Sequence, residues 1–141
     1  MHKGVKRMST TAQAMKLAHD FPGSSFKRKR HSGFTWKHTI RPSDVSREYT
    51  IEIHYADSMN EPKVFVVSPA PLELFEGAEE LPHVFDHKTQ QICLHFYGEW
   101  NISRPLTDFI PWASKWLDSY ETWVITGVWI GKSFHNGEYT Y

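Results

Sequence analysis

Apolar and polar positions alternate through three successive stretches of the chain. Phe34, Trp36, His38 and Ile40 fall on one face of residues 34–40, and Arg41-Pro42-Ser43-Asp44 then reads as a turn. Tyr49, Ile51, Ile53 and Tyr55 alternate in the same way, followed by a polar turn over Asp57–Glu61. Lys63–Ser68 is almost continuously apolar and β-branched, as expected for the interior of a sheet. Strands this close in sequence predict an antiparallel meander of three strands, to which residues 25–31 could add a fourth. The period changes to helical at both ends. Ser9, Thr10 and Thr11 are capping candidates ahead of a helix that runs to Phe21 and stops at Pro22-Gly23, with Met8, Ala12, Met15 and His19 on one stripe. Leu106, Phe109, Ile110, Ala113, Leu117 and Tyr120 are spaced as one face of a second helix, capped by Thr107 or Asp108, with Pro111 tolerable in the first turn.

Three segments read less regularly. Pro69-Ala70-Pro71 closes the sheet, and residues 72–95 show no sustained period, which predicts a long irregular segment of the kind that carries function. Residues 121–130 are ambiguous: their β-branched content favours a strand, while their position after a helix permits a second short helix. Residues 1–8 read as a loose basic leader and Gly131 onward as a ragged tail. The fold class is therefore α+β: N-terminal helix, β-meander, a loop bearing the only cysteine, and C-terminal helices, in one domain over residues 1–141.

Composition narrows the function classes. With 40% apolar residues, 15% aromatic residues and six tryptophans, 141 residues can build one moderate core. Sixteen basic residues balance sixteen acidic ones, so bulk charge points to neither a nucleic acid nor an anionic membrane as partner. The basic cluster Ser25-Phe26-Lys27-Arg28-Lys29-Arg30-His31 could touch phosphate or a nucleic acid, but the favoured reading is an edge strand or solvated loop with its charges outward. No stretch approaches the roughly 20 apolar residues of a membrane span, and no secretory signal is expected. One cysteine cannot form an intrachain disulfide. Together these predict a reducing, cytoplasmic setting.

That cysteine, Cys93, sits in an Ile-Cys-Leu step with His83, His87 and His95 nearby and Trp100 after it. A thiolate is the nucleophilic form, and a free thiol titrates near pH 8.5 or so. A histidine beside it can raise the ionised fraction or shuttle a proton. The alternative for Cys93 is a small buried hydrophobe, and for Trp100 and Trp116 ordinary core packing. A zinc site from His83, His87, Cys93 and His95 lacks the paired short intervals of such sites, so no metal is expected. No Gly-x-Ser-x-Gly nucleophile signature supports a hydrolase. No glycine-rich nucleotide loop is present either, and no cofactor is expected.

The order of elements and the local wording resemble the ubiquitin-conjugating enzymes. Pro62-Lys63-Val64 matches that family's strand, Ile92-Cys93-Leu94 its cysteine step, Trp100 its following tryptophan and Leu106-Thr107 its helix start. Leu81-Pro82-His83 falls near its His-Pro-Asn motif, with His83 in place of the asparagine and about two extra residues before Cys93. The wording is more similar to a bacterial branch, the conjugating-enzyme-like proteins of type II CBASS antiphage operons. Trp36, Ile40, the Pro-His before the cysteine and the Tyr120-Glu121-Thr122-Trp123 to Trp129 ending carry that likeness. The resemblance implies a transferase in which Cys93 takes a thioester from the C-terminus of a cGAS-like nucleotidyltransferase and passes the acyl group to an amine on a protein or small molecule. A separate activating enzyme is implied for charging. Asn101, a histidine (His83, His87 or His95) and amides around Cys93 are the candidates to assist the tetrahedral intermediate. A non-catalytic binding module on the same fold, using the meander face and the 72–81 loop, is the competing expectation.

Overall fold

The computed structural model describes residues 5–94, 98–131, 133–135 and 138–140, the last two segments as backbone only. Helix α1 spans Thr10–Asp20, and its first turn is closed by the Ser9 side chain, which accepts from the Ala12 amide at 3.0 Å. Its buried residues are Gln13 and Leu17. The stripe expected from sequence is not the buried one: Met15 is 67% exposed and His19 also faces solvent. Gln13 explains the rotation of the helix. Its Nε2 donates to the Arg104 carbonyl at 2.8 Å and its Oε1 accepts from the Leu106 amide at 2.7 Å. A fully satisfied amide can be buried at little cost, so a polar residue takes the position a hydrophobe would be assigned.

Six strands form one antiparallel sheet in the order β1-β2-β3-β4-β6-β5: β1 Ser25–Lys29, β2 Gly33–Ile40, β3 Tyr49–Ala56, β4 Lys63–Ser68, β5 Val84–Asp86 and β6 Gln91–Ile92. The expected meander is present, with residues 25–29 as its fourth strand. Tyr49, Ile51, Ile53 and Tyr55 face the core as their alternation predicts, beside Phe34, Trp36, Val64 and Val66. Pro69-Ala70-Pro71 does not close the sheet. The chain leaves β4 there, and two short strands from the supposedly irregular segment return to pair beyond β4, Phe65 opposite Gln91.

Gln90 makes that return possible. Its backbone is left-handed (φ 58°), its side chain is buried, Oε1 accepts from the Leu72 amide at 2.7 Å, and Nε2 donates to the carbonyls of Val66 and Pro69 at 2.8 and 3.1 Å. Strands this short leave no periodicity to read; the buried amide holds them.

A 3-10 turn over Leu106–Asp108 leads into α2, Phe109–Thr126. Pro111 is its third residue, within the first turn, as expected. Phe109, Ile110, Ala113, Leu117 and Tyr120 are buried as their spacing predicts. The ambiguity over residues 121–130 resolves to helix: α2 runs on to Thr126 with Trp123 buried, and Gly127 caps it in the left-handed conformation (φ 77°). Packing of Trp123 against the core outweighs the weak strand preference of Val124 and Ile125. One helix thus replaces the expected C-terminal pair. Beyond it, β7 Ser133–His135 and β8 Glu138–Thr140 pair as an antiparallel hairpin where a ragged tail was expected. Glu121 ties α2 to the sheet, accepting from Ser46 Oγ at 2.6 Å and Tyr49 Oη at 2.9 Å. Burial, reinforced by that carboxylate, holds the Tyr49 phenol well above its usual range.

Candidate active site

Cys93 lies one residue beyond β6 and His83 one residue before β5, so the pairing of these strands sets the two side by side. The Cys93 amide donates to the His83 carbonyl at 3.1 Å. The same carbonyl accepts from Trp116 Nε1, on α2, at 3.0 Å. His83 has a left-handed backbone (φ 52°), a conformation uncommon outside glycine but one in which histidine is enriched. That conformation needs outside support, and the two hydrogen bonds to its carbonyl supply it.

Aromatic rings build the surroundings. The His83 imidazole lies against Trp129 with centroids 4.7 Å apart, Trp129 meets Trp116 edge-on at 5.3 Å, and Trp116 stacks on Tyr120 at 5.8 Å. Burial, with Glu73 adding to it, pushes the Tyr120 phenol up to about 12, and the hydroxyl donates to the Glu73 carbonyl at 2.7 Å. Between α2 and the 129–131 segment these rings leave a cavity of about 460 Å³, open on one side. Cys93 and His83 line it with Trp112, Trp116 and Trp129, and Glu99, Lys115 and Asp118 add charge at its walls. Cys93 is only 5% exposed, yet the surface it does present belongs to this opening. Trp129 Nε1 is buried with no hydrogen-bond partner among the described residues.

The other candidates from sequence separate. His87 faces away from the cavity: its Nδ1 accepts from the Leu81 amide at 3.0 Å, which requires that nitrogen to be unprotonated, and its role there is to shape the 81–87 loop. Asn101 is exposed, does not line the cavity and uses its Oδ1 to accept from the Ser103 amide at 2.9 Å in a local turn. His95 lies outside the described residues. Trp100 is core, its indole donating to the Pro105 carbonyl at 3.0 Å. No three His, Cys, Asp or Glu side chains cluster as metal ligands among the described residues. Sequence reasoning missed Trp129, Trp112, Lys115 and Asp118. Trp112, Lys115, Trp116 and Ser119 share one side of α2 at three- and four-residue spacing, a signal masked by the stronger core stripe on the same helix.

A family model for type II CBASS E2 proteins matches residues 13–136, which takes in Cys93, His83 and the whole of α2. The chain belongs to that family. No curated protein matches it in sequence. Family membership places the chain in antiphage defence and implies partnership within a CBASS operon. Among the described residues no helix is long and apolar enough to cross a membrane.

Proposed function

We propose that the chain is a conjugating-enzyme-like acyl transferase with Cys93 as its nucleophile. The observation that carries this reading is the position of Cys93 in the wall of an open cavity, one strand pair away from an imidazole. The Cys93 thiolate attacks the C-terminal carbonyl of a partner protein, a cGAS-like nucleotidyltransferase in the CBASS setting, held as a thioester on a separate activating enzyme: the new C–S bond forms, the bond to the activating enzyme's sulfur breaks and that thiolate leaves. An acceptor amine then attacks the thioester carbonyl: a C–N bond forms, the C–S bond breaks and the thiolate leaves. His83, whose carbonyl accepts from the Cys93 amide and whose residue lines the same cavity, is the candidate to relay a proton. The chemistry requires a reduced thiol, consistent with a cytoplasmic location.

One observation favours a second reading, a partner-binding module without catalysis: at 5% exposure Cys93 has the burial of an ordinary core thiol. Intact-mass analysis of the chain co-expressed with its operon neighbours separates the two. The transferase gives an adduct on the wild-type chain that thiol reductant removes and that Cys93→Ala never forms. A Cys93→Ala chain that still forms the adduct, or a wild-type chain that never carries one, ends the transferase reading.

A further inference from the structure

Strand β1 is one of the two edges of the sheet, β5 being the other, and all five of its residues are exposed. Register divides its side chains between two faces. Ser25, Lys27 and Lys29 stand with Lys37 and Thr35 of β2 on the face away from the core, whereas Phe26 and Arg28 fall on the core side by register, Phe26 edge-on to Phe34 at 5.5 Å and still 39% exposed. Lys37 has a carboxylate partner, Glu52 at 3.6 Å. Among the described residues Lys27, Arg28, Lys29 and Arg30 have none. A chain whose formal charges cancel overall therefore concentrates uncompensated positive charge along one strand edge, with a part-exposed phenyl ring just ahead of it.

The geometry points to β1 as a docking edge for an extended protein segment that alternates acidic and apolar residues, adding to the sheet as a further strand. An open edge offers backbone N–H and C=O groups that only another polypeptide strand can pair. Alternation follows from the period of two: side chains on the outer face of the incoming strand meet Lys27 and Lys29, and those on the other face cover Phe26 and the aliphatic stem of Arg28. Charge also selects against competitors. A second copy docking through its own β1 sets lysine and arginine against each other across the new ladder. A phosphate backbone spread over this face leaves the N–H and C=O groups of the edge unpaired. This site is separate from the cavity at Cys93 and does not depend on its chemistry.

The test uses a short fluorescein-labelled peptide of alternating glutamate and valine with blocked ends, and the full-length chain. The expected result is binding that weakens with added salt, amide hydrogen-exchange protection confined to residues 25–29, and loss of affinity of about tenfold or more in Lys27→Glu/Lys29→Glu. Lys27→Gln/Lys29→Gln should fall between that variant and wild type, and Phe26→Ser should weaken binding without changing its salt dependence. Three results overturn the proposal: no binding, in which case the charges act only to deter edge-to-edge aggregation; equal binding of a pure glutamate peptide without protection of 25–29; and preference for an oligonucleotide of the same charge.

Discussion

Trp116 Nε1 and the Cys93 amide both donate to one acceptor, the carbonyl of His83, at 3.0 and 3.1 Å. A residue of α2 thereby helps hold the loop that carries His83 against the segment that carries Cys93.

Trp116→Phe tests that relationship. The phenyl ring keeps much of the packing on Tyr120 but removes the N–H. Losing one hydrogen bond and part of a buried ring should cost about 1–3 kcal/mol in urea denaturation. Adduct formation on Cys93 should slow by more than the stability loss explains at temperatures where the variant is fully folded, because the His83 loop is no longer held from α2. An unchanged rate in a folded variant would show that the loop is held by the Cys93 amide alone.

Gln90→Ala should be among the most damaging single changes outside the apolar core. It strands the Leu72 amide and the Val66 carbonyl in buried surroundings and takes a partner from the part-buried Pro69 carbonyl. At about 1–3 kcal/mol for each buried group left without a partner, partly relieved by water entering the gap, a loss of about 2–4 kcal/mol is expected. Gln90→Glu should not rescue it, since a carboxylate can accept from Leu72 but cannot donate to either carbonyl. Chemical denaturation of the three chains measures the order directly.

Gly127→Ala probes the end of α2. The left-handed backbone there disfavours any Cβ by about 1 kcal/mol, and a Cβ at this position meets the Phe75 ring at 2.8 Å. Phe75 is partly buried against the core and packs near Trp123, with centroids 6.4 Å apart, so its displacement disturbs the helix end it covers. The expected cost is about 1–3 kcal/mol. Gly77, with φ 90° and open space around it, gives the contrast: Gly77→Ala should lose only the backbone part.

How much of this was legible in the sequence follows the length of each signal. The strands at 34–40, 49–55 and 63–68 and the helix face from Leu106 to Tyr120 each carry several in-phase apolar residues, and each forms where its pattern places it. The β5–β6 pair has too few residues to show a period, and its position depends on the side-chain amide of Gln90, whose partners lie 18 to 24 residues away in sequence. The buried face of α1 was misassigned for a related reason: Gln13 is polar by composition but satisfied by backbone about 90 residues distant. At the candidate site Cys93 was visible as the only thiol and His83 as its neighbour in the wording. Which histidine faces the cavity was not readable, since strand pairing brings His83 to Cys93 and turns His87 toward Leu81.

His38 gives the pH dependence. Its ring stacks on Trp36 and packs against Phe21, its Nδ1 is buried with no partner among the described residues, and burial lowers its pKa below the ordinary 6.5. A histidine whose folded-state pKa is depressed binds its proton more weakly when folded than when unfolded. The unfolded chain therefore takes up more protons as pH falls below about 6.5, and stability declines there; above that value the ring is neutral in both states and the full stability is present. Thermal melts should accordingly show a midpoint that is flat from pH 8 to about 7 and drops between about 6.5 and 5. The exposed Asp20, held below its usual range by His19 and then Lys16, acts in a lower window nearer its ordinary 3.8, so the two effects separate on the pH axis. His38→Phe keeps a ring between Trp36 and Phe21 and removes the titrating nitrogen, and should flatten the upper window while leaving the lower one. A midpoint in His38→Phe that still falls between pH 6.5 and 5 as in wild type would assign the dependence to another of the nine histidines.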